Sequence, residues 1–259
     1  MRRHVDSVLQ AAVGRVAIVM ARVSALMVFA PFFASATIAP RIKAGLTVAL
    51  TALLYPAVAA ELPVLSRANA WKVVAGEIVA GLLMGLALQF VFEGVQLAGQ
   101  VAGFQVGHTL ANLINPLSDA ETPVLANFQQ AVVVLIFLQL NVHHWVLRAL
   151  GESFRFCPPG RMTVSPTLAA EVWRASGAIL VTAVEIALPT LLATIMIDLT
   201  LGLLGRASPQ LPVLFVGISV KTVAAFLAVM GALRFWPGLF EKYFVAALVS
   251  GERFLHLAQ

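Results

Sequence analysis

The stretch GLLMGLALQFVFEGVQLAGQVAGFQVGHTLANLINPLSDAETP, residues 81–123, decides the fold. It begins as an apolar run, gathers Gln89, Glu93, Gln96 and Gln100, and then breaks into glycine, asparagine and proline. At about 100° of turn per residue, those four polar side chains fall within roughly 60° of one another on a helix. An apolar helix does not turn such a face to lipid; by its period alone the stripe reads as a solute site or as the lead into a loop. The start of the stretch predicts a membrane span, and its end predicts irregular backbone.

Working outward, the rest of the chain is just as apolar. Of 259 residues, 60% are hydrophobic and only 11% charged, with a mean hydropathy of +0.93; soluble domains carry about 25% charged residues. The pattern predicts an all-α polytopic membrane protein of about six long helices with kinks. Seventeen basic and twelve acidic residues give a net charge of +5, much of it at segment ends and in connections, where basic residues flank membrane spans. No basic patch is interleaved with aromatic residues, which argues against nucleic acid. The single cysteine, Cys157, excludes an internal disulfide and a cysteine-based metal cage, and reads as a small apolar side chain at a segment end.

The N-terminus imitates a secretory signal, with basic MRRH and a small-residue triplet at Ala34-Ser35-Ala36. The apolar run from Val8 to Ala34 is too long for that and is interrupted by Arg15 and Arg22, so it reads as a retained first helix. Those arginines lie seven apart and share a face, where partner protein, water or headgroups are expected. A second segment covers Ala44 to Ala60, kinked or ended by Pro56. The third runs from near Val73 to Gly107, longer than the roughly 20 residues that cross a bilayer. A fourth helix is expected from Pro123 to Leu150, with Thr122 as N-cap and Gly151 as C-cap. A fifth covers Leu168 to Gly205, kinked at Pro189, and a sixth Val213 to Arg234. A short amphipathic tail follows Trp236-Pro237.

Arg15, Arg22, Glu77, Glu93, Glu185, Asp198 and Lys221 all fall inside apolar segments. At about 2.5 to 3.5 kcal/mol per charge, placing all of them in lipid would cost on the order of 20 kcal/mol, beyond the roughly 5 to 15 kcal/mol of a typical stability. Most must pair, neutralise, or face protein or water; for Asp198 the expected partner is Lys221 or another subunit. His143 and His144 are adjacent and point about 100° apart, so they cannot chelate one metal together. They are expected to cap or hydrogen-bond near the end of the fourth helix. Neither a nucleophile with its base, nor a phosphate loop, nor a metal spacing is present, so no enzyme and no cofactor are expected. Gly81 and Gly85, and then Gly99, Gly103 and Gly107, repeat at four-residue spacing, which admits close helix approach within the chain or to neighbours. A solute or ion transporter would also use Glu93, Glu185 and Asp198, but such proteins usually carry an inverted repeat and none is detectable here.

The stretches APFFASATIAPRIKAGLTVAL (30–50) and LPTLLATIMIDLTLGLLGRASPQLPVLFVGISVK (188–221) flank a third, 101–160, that contains GF, a polar NP loop, FLQLNVHH, Ser153-Phe154 and PPG. In that order they resemble the FliR family of flagellar export proteins, which includes the T-type (SctT) subunits of virulence type III secretion systems. The resemblance implies a non-enzymatic, single-copy subunit of an export gate in the bacterial inner membrane, within the flagellar basal body. Its implied partners are FliP-like and FliQ-like subunits, FlhB-like and FlhA-like proteins, and unfolded export substrates.

The resemblance also implies a FliP-like part over residues 1–166, a FliQ-like helical pair with a tail over 167–259, and a channel plug over 103–122. Gly103, Phe104, Gln105, Leu110, Asn112, Leu113, Ile114, Asn115 and Pro116 are the candidate plug residues. Taken without the resemblance, the same cluster reads as an external loop. The stripe Gln89, Glu93, Gln96 and Gln100 becomes a lumen or interface stripe. Arg15, Arg22, Glu185, Asp198, Arg206, Pro209, Gln210 and Lys221 become candidate subunit contacts, although Pro212 stands where a polar residue would be expected. The alternative within the family is the equivalent subunit of a virulence injectisome; the transporter is the alternative from another class.

Overall fold

The computed structural model describes residues 2–31, 39–59, 62, 69–107, 124–208, 210 and 213–259. Among them the elements are helices: α1 (Arg2–Phe29), α2 (Pro40–Val58), α3 (Ala70–Val106), α4 (Val124–Gln139), α5 (Val142–Phe156), α6 (Pro166–Ser176), α7 (Ala178–Ala207), α8 (Val213–Ala232) and α9 (Trp236–Leu257). Helices satisfy their own backbone groups, which a bilayer demands of any chain crossing it. Four segments are long and apolar enough to cross, and six if the broken pairs α4 with α5 and α8 with α9 each count as one.

The structure corrects several expected boundaries. The fourth segment is not one helix ending at Leu150. It stops at Gln139, Asn141 takes a φ of 55°, and α5 starts anew and runs to Phe156. Asparagine tolerates this left-handed conformation better than most residues, so a break can occur without interrupting the apolar pattern. Gly151 therefore lies inside α5, and the Cys157 N–H closes the helix on the Ser153 carbonyl at 2.9 Å. His143 and His144 stand in the first turn of α5, just after the break that ends α4, with ring centroids 4.1 Å apart. The fifth segment divides at Gly177, while α7 continues through Pro189. Beyond Trp236 the chain forms a helix of 22 residues, not a short tail.

The chain forms two compact units: Met1–Phe90, Asn141–Ser176 and Phe244–Gln259 make the first, and Val91–Leu140 with Gly177–Tyr243 the second. In the first, α1 packs on α2 and α2 reaches α5, where Leu54 touches the Gly151 position. The early turns of α3 lie directly on α1. A Cβ on Gly81 would collide with the Arg22 carbonyl oxygen, and one on Gly85 would come within 2.7 Å of the Phe29 Cβ. Leu83, Ala87, Leu168, Phe254 and Ala258 form a core joining α3, α6 and the end of α9.

In the second unit α7 and α8 make an antiparallel hairpin, since Leu201 meets Gly217 and Asp198 meets Lys221. The later turns of α3 run antiparallel to α4, with Gly99 against Ala126 and the Phe92 and Phe137 rings 5.9 Å apart. The glycine spacing at Gly81, Gly85 and Gly99 is thus used for packing within the chain. Hydroxyls inside these apolar helices bond back onto their own backbone, Thr194 to the Thr190 carbonyl at 2.9 Å and Thr222 to that of Ile218 at 2.8 Å. In these two the hydroxyl proton is held by a carbonyl of the same helix.

Candidate functional site

In the second unit α3 has two covered sides and one open one. α7 sets the first: a Cβ on Gly94 would come within 2.7 Å of the Thr182 Cβ, and the Gln105 amide donates to Asp198 at 3.2 Å. α4 sets the second, through Gly99 and Ala126. The remaining arc carries the polar stripe. Glu93 and Gln100 are exposed and Gln96 is half-buried, with Val101 and Phe104 exposed beside them. Gln89, a turn earlier, is half-buried as well. Phe104, at 70% exposure, is a large aromatic that the described residues leave uncovered.

α3 ends where glycine allows it to end. Gly107 has a φ of 96° and donates its N–H to the Phe104 carbonyl at 3.0 Å, a left-handed termination that a Cβ would strain. Of the candidate plug residues, Gly103 is buried, Phe104 exposed and Gln105 half-buried. Leu110, Asn112, Leu113, Ile114, Asn115 and Pro116 lie outside the described residues.

At this end of α3, Gln105, Asp198 and Lys221 make one polar cluster across α3, α7 and α8. Lys221 pairs with Asp198, whose side chain is still 43% exposed. Glu185, also exposed, accepts a hydrogen bond from Tyr243. Arg206 and Gln210 are exposed at the end of α7, and Pro209 and Pro212 lie outside the described residues. Amides, carboxylates and an aromatic ring on uncovered helix faces suit contact with polypeptide more than chemistry on a small molecule.

Arg22, expected at a subunit interface, is instead fully buried in the first unit. Its Nε donates to Glu77 at 2.7 Å, one terminal nitrogen to Ser153 Oγ at 3.0 Å, and the other to the Cys157 carbonyl at 2.9 Å. The guanidinium also lies 4.1 Å from the centroid of the Phe154 ring. Its planar fork is used on every side within the chain, so it clamps α1, α3 and α5 together. Arg15, on the same face of α1, is half-buried, and its Nε has no partner among the described residues.

Periodicity and spacing do not single out Gln129 and Thr190. Both are wholly buried in the second unit, and neither the Gln129 amide nor the Thr190 hydroxyl has a partner among the described residues. The one signal is the pair Gln129-Gln130 at the start of an otherwise apolar run.

Comparison with known proteins adds a consistent picture. Residues 13–247 match the family described as bacterial export proteins, family 1. The flagellar biosynthetic protein FliR of Escherichia coli is 31% identical over 229 residues, covering 86% of this chain and 87% of that protein. FliR of Bacillus subtilis is 29% identical over 156 residues, 58% of this chain and 60% of its own. The surface presentation of antigens protein SpaR of Salmonella typhimurium is 26% identical over 229 residues, 88% of this chain and 85% of its own.

Proposed function

The chain belongs to the bacterial export proteins, family 1, and we propose that it is a subunit of the flagellar type III export gate, through which unfolded substrates pass. The supporting observation is that the similarity runs nearly end to end and is higher to the flagellar relative than to the virulence one. The subunit lies in the bacterial inner membrane as part of the flagellar basal body. It assembles with FliP-like and FliQ-like subunits and neighbours FlhB-like and FlhA-like proteins, without catalytic, metal or cofactor chemistry of its own.

In this reading residues 1–166 form the FliP-like part and 167–259 the FliQ-like part, for which the α7–α8 hairpin is the structural support. The segment 103–122 closes the lumen at rest and is displaced when substrate passes. The stripe from Gln89 to Gln100 faces the lumen or an adjoining subunit. Asp198 with Lys221, together with Glu185, Arg206, Pro209, Gln210 and Arg15, makes subunit contacts; Arg22 drops out of that set because its own chain encloses it.

Purification of the tagged chain from native membranes tests the assignment. A gate subunit comes out with unlike membrane proteins in fixed ratio. Recovery as a stable monomer or homo-oligomer would overturn the assignment and favour a transporter.

A further inference from the structure

The first unit has an open groove between α3 and α6 that the export function does not call upon. It is lined by Val79, Leu83, Leu86 and Phe90 from α3, and by Val164, Leu168, Ala169, Val172, Trp173 and Ser176 on and just before α6, and its volume is about 470 Å³. Ser176 is the one polar residue in that lining. The two walls run parallel: Val73 touches Gly160, Gly76 touches Met162, and Leu83 and Ala87 share a core with Leu168.

The lining suits a hydrocarbon chain. Val79 to Phe90 covers about 16 Å at a rise of 1.5 Å per residue, and apart from Ser176 the walls along it are apolar. A single acyl chain, whose carbons meet such walls at about 4 Å, lies along it.

Charge at one end selects further. Val79, Leu83, Leu86 and Phe90 fall on one stripe of α3, and Lys72 lies on the same stripe two turns before Val79. Lys72 is exposed, and its ammonium sits 5.6 Å from the ring centroid of Trp71, itself 67% exposed. Arg161, also exposed, is carried past the same turns of α3 by the Gly160 and Met162 contacts. An exposed tryptophan beside basic residues marks the level of the lipid headgroups. With Lys72 at that level, the groove begins about 10 Å deeper and lies in the hydrocarbon. Glu77, the acid nearest in sequence, is buried on Arg22 and does not neutralise this end.

We propose that the first unit binds an anionic phospholipid, one acyl chain lying in the α3–α6 groove and the phosphate held by Lys72 and Arg161. A basic site between helices is a recognised way of holding anionic headgroups, and here it lies two turns of α3 from an apolar groove.

Trp173 lines the groove and is 82% exposed, so it reports occupancy and tolerates replacement. The assembled full-length protein is reconstituted in phosphatidylcholine vesicles with rising fractions of phosphatidylglycerol brominated in its acyl chains. The quenching lost in Trp173→Phe is the signal from the groove. At about fivefold per basic residue near the headgroups, brominated phosphatidylglycerol half-quenches that signal at a mole fraction at least about tenfold lower than brominated phosphatidylcholine does. Lys72→Gln with Arg161→Gln brings the two curves together. Equal quenching by both lipids in the unmodified protein means ordinary surrounding lipid and overturns the proposal. So does absence of quenching, which means that protein covers the groove, or a preference that survives the double substitution.

Discussion

Arg22 in the first unit and Lys221 in the second each pair with an acid inside apolar helices, but the surroundings differ. Arg22 is fully buried, its three donating nitrogens bond to Glu77, Ser153 and the Cys157 carbonyl, and Phe154 lies beside it. The Lys221–Asp198 pair leaves the carboxylate side chain 43% exposed, next to an α3 face that carries Gln100 and an uncovered Phe104. Buried polar atoms without a partner among the described residues occur in both units, Arg15 Nε and Glu77 Oε1 in the first and the Gln129 amide and Thr190 hydroxyl in the second. The first unit encloses its charge pair and so can act as scaffold. The second presents polar groups outward, as a part completed by other chains would.

The largest expected effect breaks the scaffold side. Arg22→Met leaves Glu77 buried without its cation and costs about 3 to 5 kcal/mol, so chain abundance in the membrane collapses. Arg22→Met with Glu77→Leu restores much of it, because removing both charges removes the penalty. A double variant no better than the single one would mean that the clamp matters for more than charge.

Next comes packing in the second unit. A side chain at Gly99 would run into the Ala126 backbone, so Gly99→Leu loses about 1 to 3 kcal/mol or more by overpacking. Gly45, where a Cβ meets nothing within 4 Å, accepts alanine with a change of at most about 0.5 kcal/mol. Thermal aggregation of the detergent-solubilised protein separates the two. Equal midpoints for both variants would contradict the close approach of α3 to α4.

A change of opposite sign sharpens the contrast. An unsatisfied buried amide costs about 1 to 3 kcal/mol, so Gln129→Leu raises the aggregation midpoint. A lowered midpoint would show that Gln129 is bonded in the assembly. The smallest effect on the chain itself is that of Asp198→Asn, about 1 kcal/mol or less for a partly exposed pair. Its larger consequence falls on assembly, where co-purification of partner subunits drops severalfold while chain abundance holds. Unchanged co-purification would remove Asp198 from the contact set.

The helices are legible in the sequence because a bilayer-crossing helix needs about 20 consecutive apolar residues and soluble folds rarely supply them. The stripe is legible because four polar residues keep a helical period. The start expected for the third segment, near Val73, accordingly falls within three residues of Ala70, where α3 begins. The breaks are harder to see. At Asn141 the apolar pattern continues on both sides, and one residue in an unusual conformation redirects the chain. Arg22 and Glu77 lie 55 residues apart in sequence, beyond the reach of any local periodicity. An arginine in an apolar helix signals a need for a partner without saying whose, and here the partner lies in the same chain. For Asp198, by contrast, the only basic residue in the interior of the next apolar segment is Lys221, so the pairing can be anticipated.

The central claim is that this chain belongs to a gate closed by its own segment 103–122. The direct measurement is ion conductance of membranes holding the assembled complex, with and without residues 108–122. The account predicts that the complex assembles in both cases and that leakage rises sharply on deletion. An assembled complex lacking the segment that remains as tight as the intact one would contradict it.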